Sequence, residues 1–95
     1  MKTGLDAKKE LWYVYILECR DGTLYTGITN DLARRLDMHR RKQGGAYTRA
    51  HGAKRMRYSE RTSSRSAALT REHEIKQMTR AHKLALICTN ESKST

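Results

Sequence analysis

The clearest hydrophobic pattern lies near the start of the chain. Trp12 to Cys19 reads WYVYILEC, an aromatic and β-branched run that predicts a strand. Asp21-Gly22 follows as a turn signal. Thr23 to Thr29, TLYTGIT, predicts the return strand of a hairpin.

Loop length decides which residues share a face. A two-residue turn at Asp21-Gly22 pairs Cys19 with Leu24 and puts Leu24 and Ile28 opposite Val14 and Ile16. A three-residue loop, Arg20-Asp21-Gly22 with Gly22 left-handed, shifts the pairing by one. Val14, Ile16, Leu24 and Ile28 then share one face, and Tyr13, Tyr15, Tyr25 and Gly27 share the other. Only this second register buries the apolar set together, because a one-residue slip turns every side chain over. It predicts two tyrosines and a bare glycine backbone displayed together, away from the core.

After the hairpin the spacing becomes helical. Asn30 or Asp31 caps a helix to about Lys42, with Leu32, Leu36 and part of His39 inward and Gly44-Gly45 at its end. Ala46 to Lys54 reads as a basic loop. Arg55 to Arg61 alternates Met56, Tyr58 and Glu60 against arginines and Ser59, predicting a third strand exposed on one face. Ser63 or Ser64 caps a second helix to about Met78, and Thr79 caps a short third one, Arg80 to Ile87. The order ββαβαα has no βαβα alternation. The expected class is α+β, a small three-stranded, mainly antiparallel sheet flanked by helices. Residues 1–10 read as a flexible basic lead-in, 11–88 as one domain and 89–95 as a flexible tail.

Charge narrows the function. The 95 residues carry 20 Lys and Arg against 10 Asp and Glu, a formal net charge of +10. Such a field attracts polyanions. No apolar run approaches the ~20 residues of a membrane span. The polar stretch Met1 to Glu10 lacks the apolar core of a secretory signal, so a cytoplasmic location is expected. No basic helix carries the large apolar face that membrane-surface binding wants. Nucleic acid is therefore the expected partner. Cys19 and Cys88 have no metal-type spacing and read as reduced, buried thiols.

Four features carry possible chemistry. Tyr15 and Tyr25 sit on the hairpin beside Gly27, off the apolar face. Arg35 and His39 are four apart, so they share one side of the first helix, and Arg35 offers a planar fork for phosphate oxygens. Glu72 falls on the inward stripe of the second helix with Ala68, Leu69 and Ile75, whereas Glu74 lies about 200° around the helix and faces solvent. A carboxylate on that stripe wants a partner, either a cation or an arginine such as Arg35 or Arg71. In the basic loop, Tyr47 stands among Arg49, His51 and Lys54, a mixture suited to backbone contact and base stacking.

Order and spacing together resemble the GIY-YIG nuclease superfamily, in its small stand-alone branch. The shared features are YVY at 13–15, YTG at 25–27, Arg35, His39 four later, and Glu72 in a following helix. The similarity covers roughly residues 12–87. Tyr13 and Val14 stand where the first motif has glycine and isoleucine, and Thr26 replaces the isoleucine of the second. The resemblance implies a divalent-metal-dependent endonuclease, with DNA the expected substrate and DNA repair or processing a candidate setting. It implies Glu72 as the holder of Mg²⁺ or Mn²⁺ and Tyr15 as acceptor of the attacking water's proton. Tyr25 would position water or phosphate, Arg35 would stabilise developing charge, and His39 would bond a phosphate oxygen or assist proton transfer. Gly27 would let a backbone approach closely, and Arg34, Tyr47, Arg49, Lys54 and Lys76 are the expected nucleic-acid contacts. The alternative is a non-catalytic basic module that binds DNA or RNA, and a further one is a scaffold for an acidic partner.

Overall fold

A computed structural model describes residues 11–93, so the expected lead-in at 1–10 and residues 94–95 lie outside the described residues. Strand β1, Trp12–Cys19, is the aromatic and β-branched run, and β2, Leu24–Thr29, returns antiparallel beside it. The pairing is Val14 to Ile28, Tyr15 to Gly27 and Glu18 to Leu24, the register of the three-residue loop. Gly22 takes φ +87, the left-handed conformation that glycine adopts without steric cost. Its N–H donates to the Cys19 carbonyl at 2.9 Å, and the Cys19 N–H donates to the Thr23 carbonyl at 2.9 Å.

Strand β3, Ala53–Thr62, pairs antiparallel with the other edge of β1, so the order is β2-β1-β3. The central strand is buried on both faces from Val14 to Leu17. Val14 and Ile16 pack with Ala68, Ile75 and Ile87 in the larger core, which Leu24 and Ile28 border. Tyr15 and Leu17 form a second cluster with Ala53, flanked by Tyr25, Leu32, Leu36 and Met56. The tyrosine face is therefore not displayed away from the core. It has a smaller core of its own, because Leu32, Leu36 and Met56 are spent on this face. The pairing with β3 shifts between Ile16 and Leu17. This bulge sends Met56 to the tyrosine cluster and Tyr58 to the larger core, where strict alternation puts them together.

Helix α1 is Leu32–Arg40, with Asp31 capping the Arg34 N–H at 3.1 Å. The segment expected as a basic loop forms a short helix, α2, Ala46–His51, bounded by Gly45 and Gly52. It lacks the apolar stripe that identifies a helix in sequence. Helix α3, Arg65–Lys76, begins at Ser64, whose hydroxyl accepts from the Ala67 N–H at 3.0 Å. Helix α4, Arg80–Lys93, continues past Ile87 into the expected tail, where the apolar pattern ends but the polar residues still permit a helix. Cys19 is buried and Cys88 is exposed. None of the helices among the described residues is long and apolar enough to cross a membrane. The architecture is α+β, as the element order predicts.

Candidate active site

The site grows from β1 outward. Pleating points Tyr15 to the α1 side, where its ring is fully buried. Its hydroxyl meets Nε2 of His39 at 2.8 Å, and Nε of Arg35 donates to the same oxygen at 3.4 Å. The four-residue spacing on α1 thus aims both side chains at one phenol. Arg35 is fixed a second time, by an Nη2–H donated to the Gly44 carbonyl at 2.8 Å. Two of its donors are engaged, and the fork still holds others.

Gly27 lies directly across from Tyr15 on β2. A Cβ there would stand 2.6 Å from the Tyr15 hydroxyl oxygen. The glycine expected to admit a substrate backbone admits the phenol instead. Gly44 does the same for His39, whose ring occupies the space a Cβ would take. Thr48 on α2 completes the arrangement, with Oγ1 2.7 Å from Nδ1 of His39. Neither Gly44 nor Thr48 is marked by sequence as part of the site. The glycine pair reads only as a helix end, and Thr48 acquires its role through tertiary contact alone.

His39 is 1% exposed and both ring nitrogens face hydroxyls. Burial, aided by the Arg35 charge, brings its pKa down to about 4, so the ring is neutral near pH 7. A neutral imidazole donates from one nitrogen and accepts at the other. With hydroxyls on both sides, the Tyr15–His39–Thr48 chain can run in either direction. In one direction Tyr15 donates to Nε2 and Nδ1–H donates to Thr48. The expected direct bond from His39 to phosphate does not fit this burial.

The lowered His39 pKa has a measurable effect on stability. Between pH 6.5 and about pH 4 the unfolded chain binds a proton that the folded chain refuses, so stability falls as pH falls and levels off below about 4. The expected loss is on the order of 3 kcal/mol. Thermal unfolding from pH 7 to pH 4.5 should show it, with a shallower slope in His39→Gln. Glu18 and Asp21 have lowered pKa values, so their stabilising effect is lost from about pH 5 downward, and the slope between pH 7 and about pH 5 belongs to His39.

The Tyr15 pKa is raised, chiefly by burial. Arg35 pulls it down through its hydrogen bond, while Tyr25 and Glu72 add to the rise through charge. Glu72 is thus within electrostatic reach of the phenol although its helix packs on the opposite face of the sheet. Its side chain is 19% exposed, and Oε2 lies 3.3 Å from Nζ of Lys76. Ala68 and Ile75 are buried beside it, but Leu69 is exposed and sits on the border of the stripe. Arg71 turns away to Glu60 and Glu74, and the Glu74 side chain is 56% exposed. Neither arginine considered as a partner for Glu72 therefore takes that place.

Tyr25 touches both neighbours, with its ring centroid 6.4 Å from that of Tyr15 and 5.5 Å from that of His39. Tyr47 stacks on Tyr25 at 5.5 Å and on His51 at 4.1 Å. The structure thus gathers Tyr15, Tyr25, Gly27, Arg35 and His39, with Tyr47 adjoining and Glu72 within electrostatic reach of the phenol. Arg34 is exposed on α1, Lys76 is held by Glu72, and Arg49 and Lys54 line a separate cavity. No group of three His, Cys, Asp or Glu suited to a metal exists among the described residues. Glu72 is the carboxylate within electrostatic reach of the phenol. Mg²⁺ commonly keeps several waters and takes one or two carboxylates with substrate phosphate, so a single half-buried glutamate fits such an ion once Lys76 turns aside.

A hairpin phenol bridged to an Arg and a His on the next helix, with a glutamate on a later one, belongs to a known class. The family model for the GIY-YIG catalytic domain matches residues 11–85, and the chain belongs to the GIY-YIG family, a superfamily of nucleases acting on nucleic acid. Its relatives are small proteins. The chain is 47% identical over 78 residues to a UPF0213 protein of Oceanobacillus iheyensis, covering 82% of this chain and 91% of that one. It is 47% identical over 75 residues to a UPF0213 protein of Natronomonas pharaonis, covering 79% and 88%. The solution NMR structure of a UPF0213 protein from Bacillus halodurans has the same fold, with a TM-score of 0.54 and 39% identity over 83% of this chain and 84% of that one.

Proposed function

We propose that this protein hydrolyses phosphodiester bonds of nucleic acid, with DNA as substrate and Mg²⁺ or Mn²⁺ as cofactor. The observation that carries the reading is the Tyr15 hydroxyl held between Nε2 of His39 and Nε of Arg35, with the Glu72 carboxylate in electrostatic reach. Held at Glu72, the cation would offset negative charge on the scissile phosphate and the departing oxygen.

The chain's own residues do the rest. At rest the phenol is protonated, since burial disfavours its anion. An approaching phosphate draws the Arg35 guanidinium from the phenol toward the phosphate oxygens, which uncovers the hydroxyl. His39, neutral and fixed by Thr48, accepts the phenol's hydrogen bond and orients it. As Tyr15 takes the proton of the attacking water, its own proton passes along the hydrogen bond to Nε2 of His39, whose Nδ1–H donates to Thr48, and Arg35 stabilises charge that develops in the transition state. Tyr25, in contact with Tyr15 and His39, positions water or phosphate at the mouth. Gly27 keeps space for the phenol throughout.

The test is nicking of plasmid and flap DNA with Mg²⁺ or Mn²⁺. Arg35→Ala and Glu72→Ala should each lower the rate about 10²–10³-fold, the usual cost of losing one transition-state contact, with circular dichroism unchanged. Wild-type rates in both variants overturn the site. One observation favours a second reading. Tyr15 is fully buried in this structure, which suits a binding module with a closed site. That module predicts salt-sensitive binding with no metal-dependent turnover, and the same assay separates the two.

A further inference from the structure

A cavity of about 730 Å³ opens beside the catalytic cluster and shares none of its residues. Its wall carries Arg20 from the hairpin loop, Arg40 and Lys42 from the end of α1, Arg49 and His51 from α2, and Lys54 from β3. No carboxylate lines it. The nearest acids are already engaged. Asp21 pairs with His51, and Glu18 takes Arg55 at 3.0 Å, Arg57 at 3.1 Å and Lys54 at 3.9 Å.

Parts of this wall are built rather than loose. Gly52 has φ +76, and a Cβ there would meet Cδ of Arg20 at 2.9 Å. The missing side chain lets the arginine stem lie against the backbone. Nη2 of Arg40 donates to the Lys54 carbonyl at 3.1 Å. Lys42 holds φ +65, the only positive φ at a non-glycine position among the described residues. It follows the C-cap of α1, where glycine is the usual choice. A lysine kept in a conformation that L side chains disfavour points to a use for its charge. Among the described residues, neither the Lys42 ammonium nor the Arg49 guanidinium has a hydrogen-bonded or ion-paired partner.

We propose that this cavity binds a phosphate of the nucleic-acid strand at a position displaced from the one cut. The inference rests on nucleic acid being the substrate. Four of these basic side chains, Arg20, Arg40, Lys42 and Arg49, have no acidic partner among the described residues; together they select an anion, and the volume suits a ligand of nucleotide size. The stacked pair Tyr47 and His51 joins this wall to Tyr25, and so to Tyr15. A strand could then lie from one phosphate site to the other across an aromatic bridge. Tyr47 is 39% exposed and offers a surface for a base in between.

The test measures binding of a fluorescent oligonucleotide to the full chain, without divalent cation, across a range of salt. The Lys42→Gln/Arg49→Gln double variant should bind about tenfold or more weakly, with the slope of log affinity against log salt reduced by about 1. Each oligonucleotide is used with and without a terminal phosphate. A loss confined to the phosphorylated form makes the occupant a terminal phosphate, and an equal loss on both makes it an internal one. Lys42→Gly adds a sign test. It relieves the backbone, so the melting temperature should rise by about 2–4 °C while affinity falls. Wild-type affinity and slope in the double variant overturn the proposal, as does a wild-type chain that binds no oligonucleotide. Pocket-dependent binding without cleavage leaves the pocket standing and removes the hydrolytic reading. Cleavage with pocket-independent binding does the reverse.

Discussion

Tyr15→Phe is expected to lower DNA cleavage about 10²–10⁴-fold, the usual contribution of a positioned acid or base, while leaving DNA affinity nearly unchanged. The ring stays, so the packing against Leu17 and Ala53 stays. What leaves is one oxygen, and with it the group that both Arg35 and His39 address. A cost in stability is also expected. Nε2 of His39 becomes a buried polar atom without its partner, worth about 1–3 kcal/mol. Single-turnover cleavage, oligonucleotide binding and urea unfolding, measured on one preparation, separate the three effects. Cleavage at the wild-type rate in this variant would remove Tyr15 from the chemistry and reduce it to a packing residue.

Gly44→Ala is expected to damage both the fold and the site. The added methyl overlaps the His39 ring, which is trapped between Tyr15 and Thr48 and cannot simply rotate away. Overpacking of this kind costs about 1–3 kcal/mol. Gly44 also presents the carbonyl that holds Arg35, so a backbone shift here loosens the guanidinium too. The melting temperature should drop by several degrees, and cleavage should fall with it even at temperatures where the variant is fully folded. A variant with wild-type stability and rate would show that the His39 pocket has slack absent from this structure.

Sequence reveals this site unevenly, for physical reasons. Period-two alternation on β1 and β2 leaves one register that buries Val14, Ile16, Leu24 and Ile28 together, so the hairpin is readable to the residue. Helical geometry likewise separates Glu72 from Glu74 and puts Arg35 and His39 on one side of α1. Burial of the tyrosine face is different. It depends on β3 supplying Ala53 and Met56 and on Leu32 and Leu36 covering that side, which no local pattern announces. The bulge opposite Leu17, the two-glycine frame of α2 and the contact of Thr48 with His39 are tertiary facts of the same kind. Gly27 is legible as a position that needs room, but its occupant is the phenol, supplied by the facing strand.

Strand β1 serves as a party wall. Val14 and Ile16 hold up one room and Tyr15 furnishes the other, on consecutive residues of a single backbone. A motion of the strand large enough to free the phenol would also dissolve the larger core, at nearly the cost of unfolding the domain. Opening must therefore come from the helical side, through the swing of the Arg35 side chain over a floor that holds still. On the proposed hydrolytic reading, access to the phenol is then a matter of rotamers, on the timescale of side chains, and evolution can retune it at α1 without disturbing the sheet.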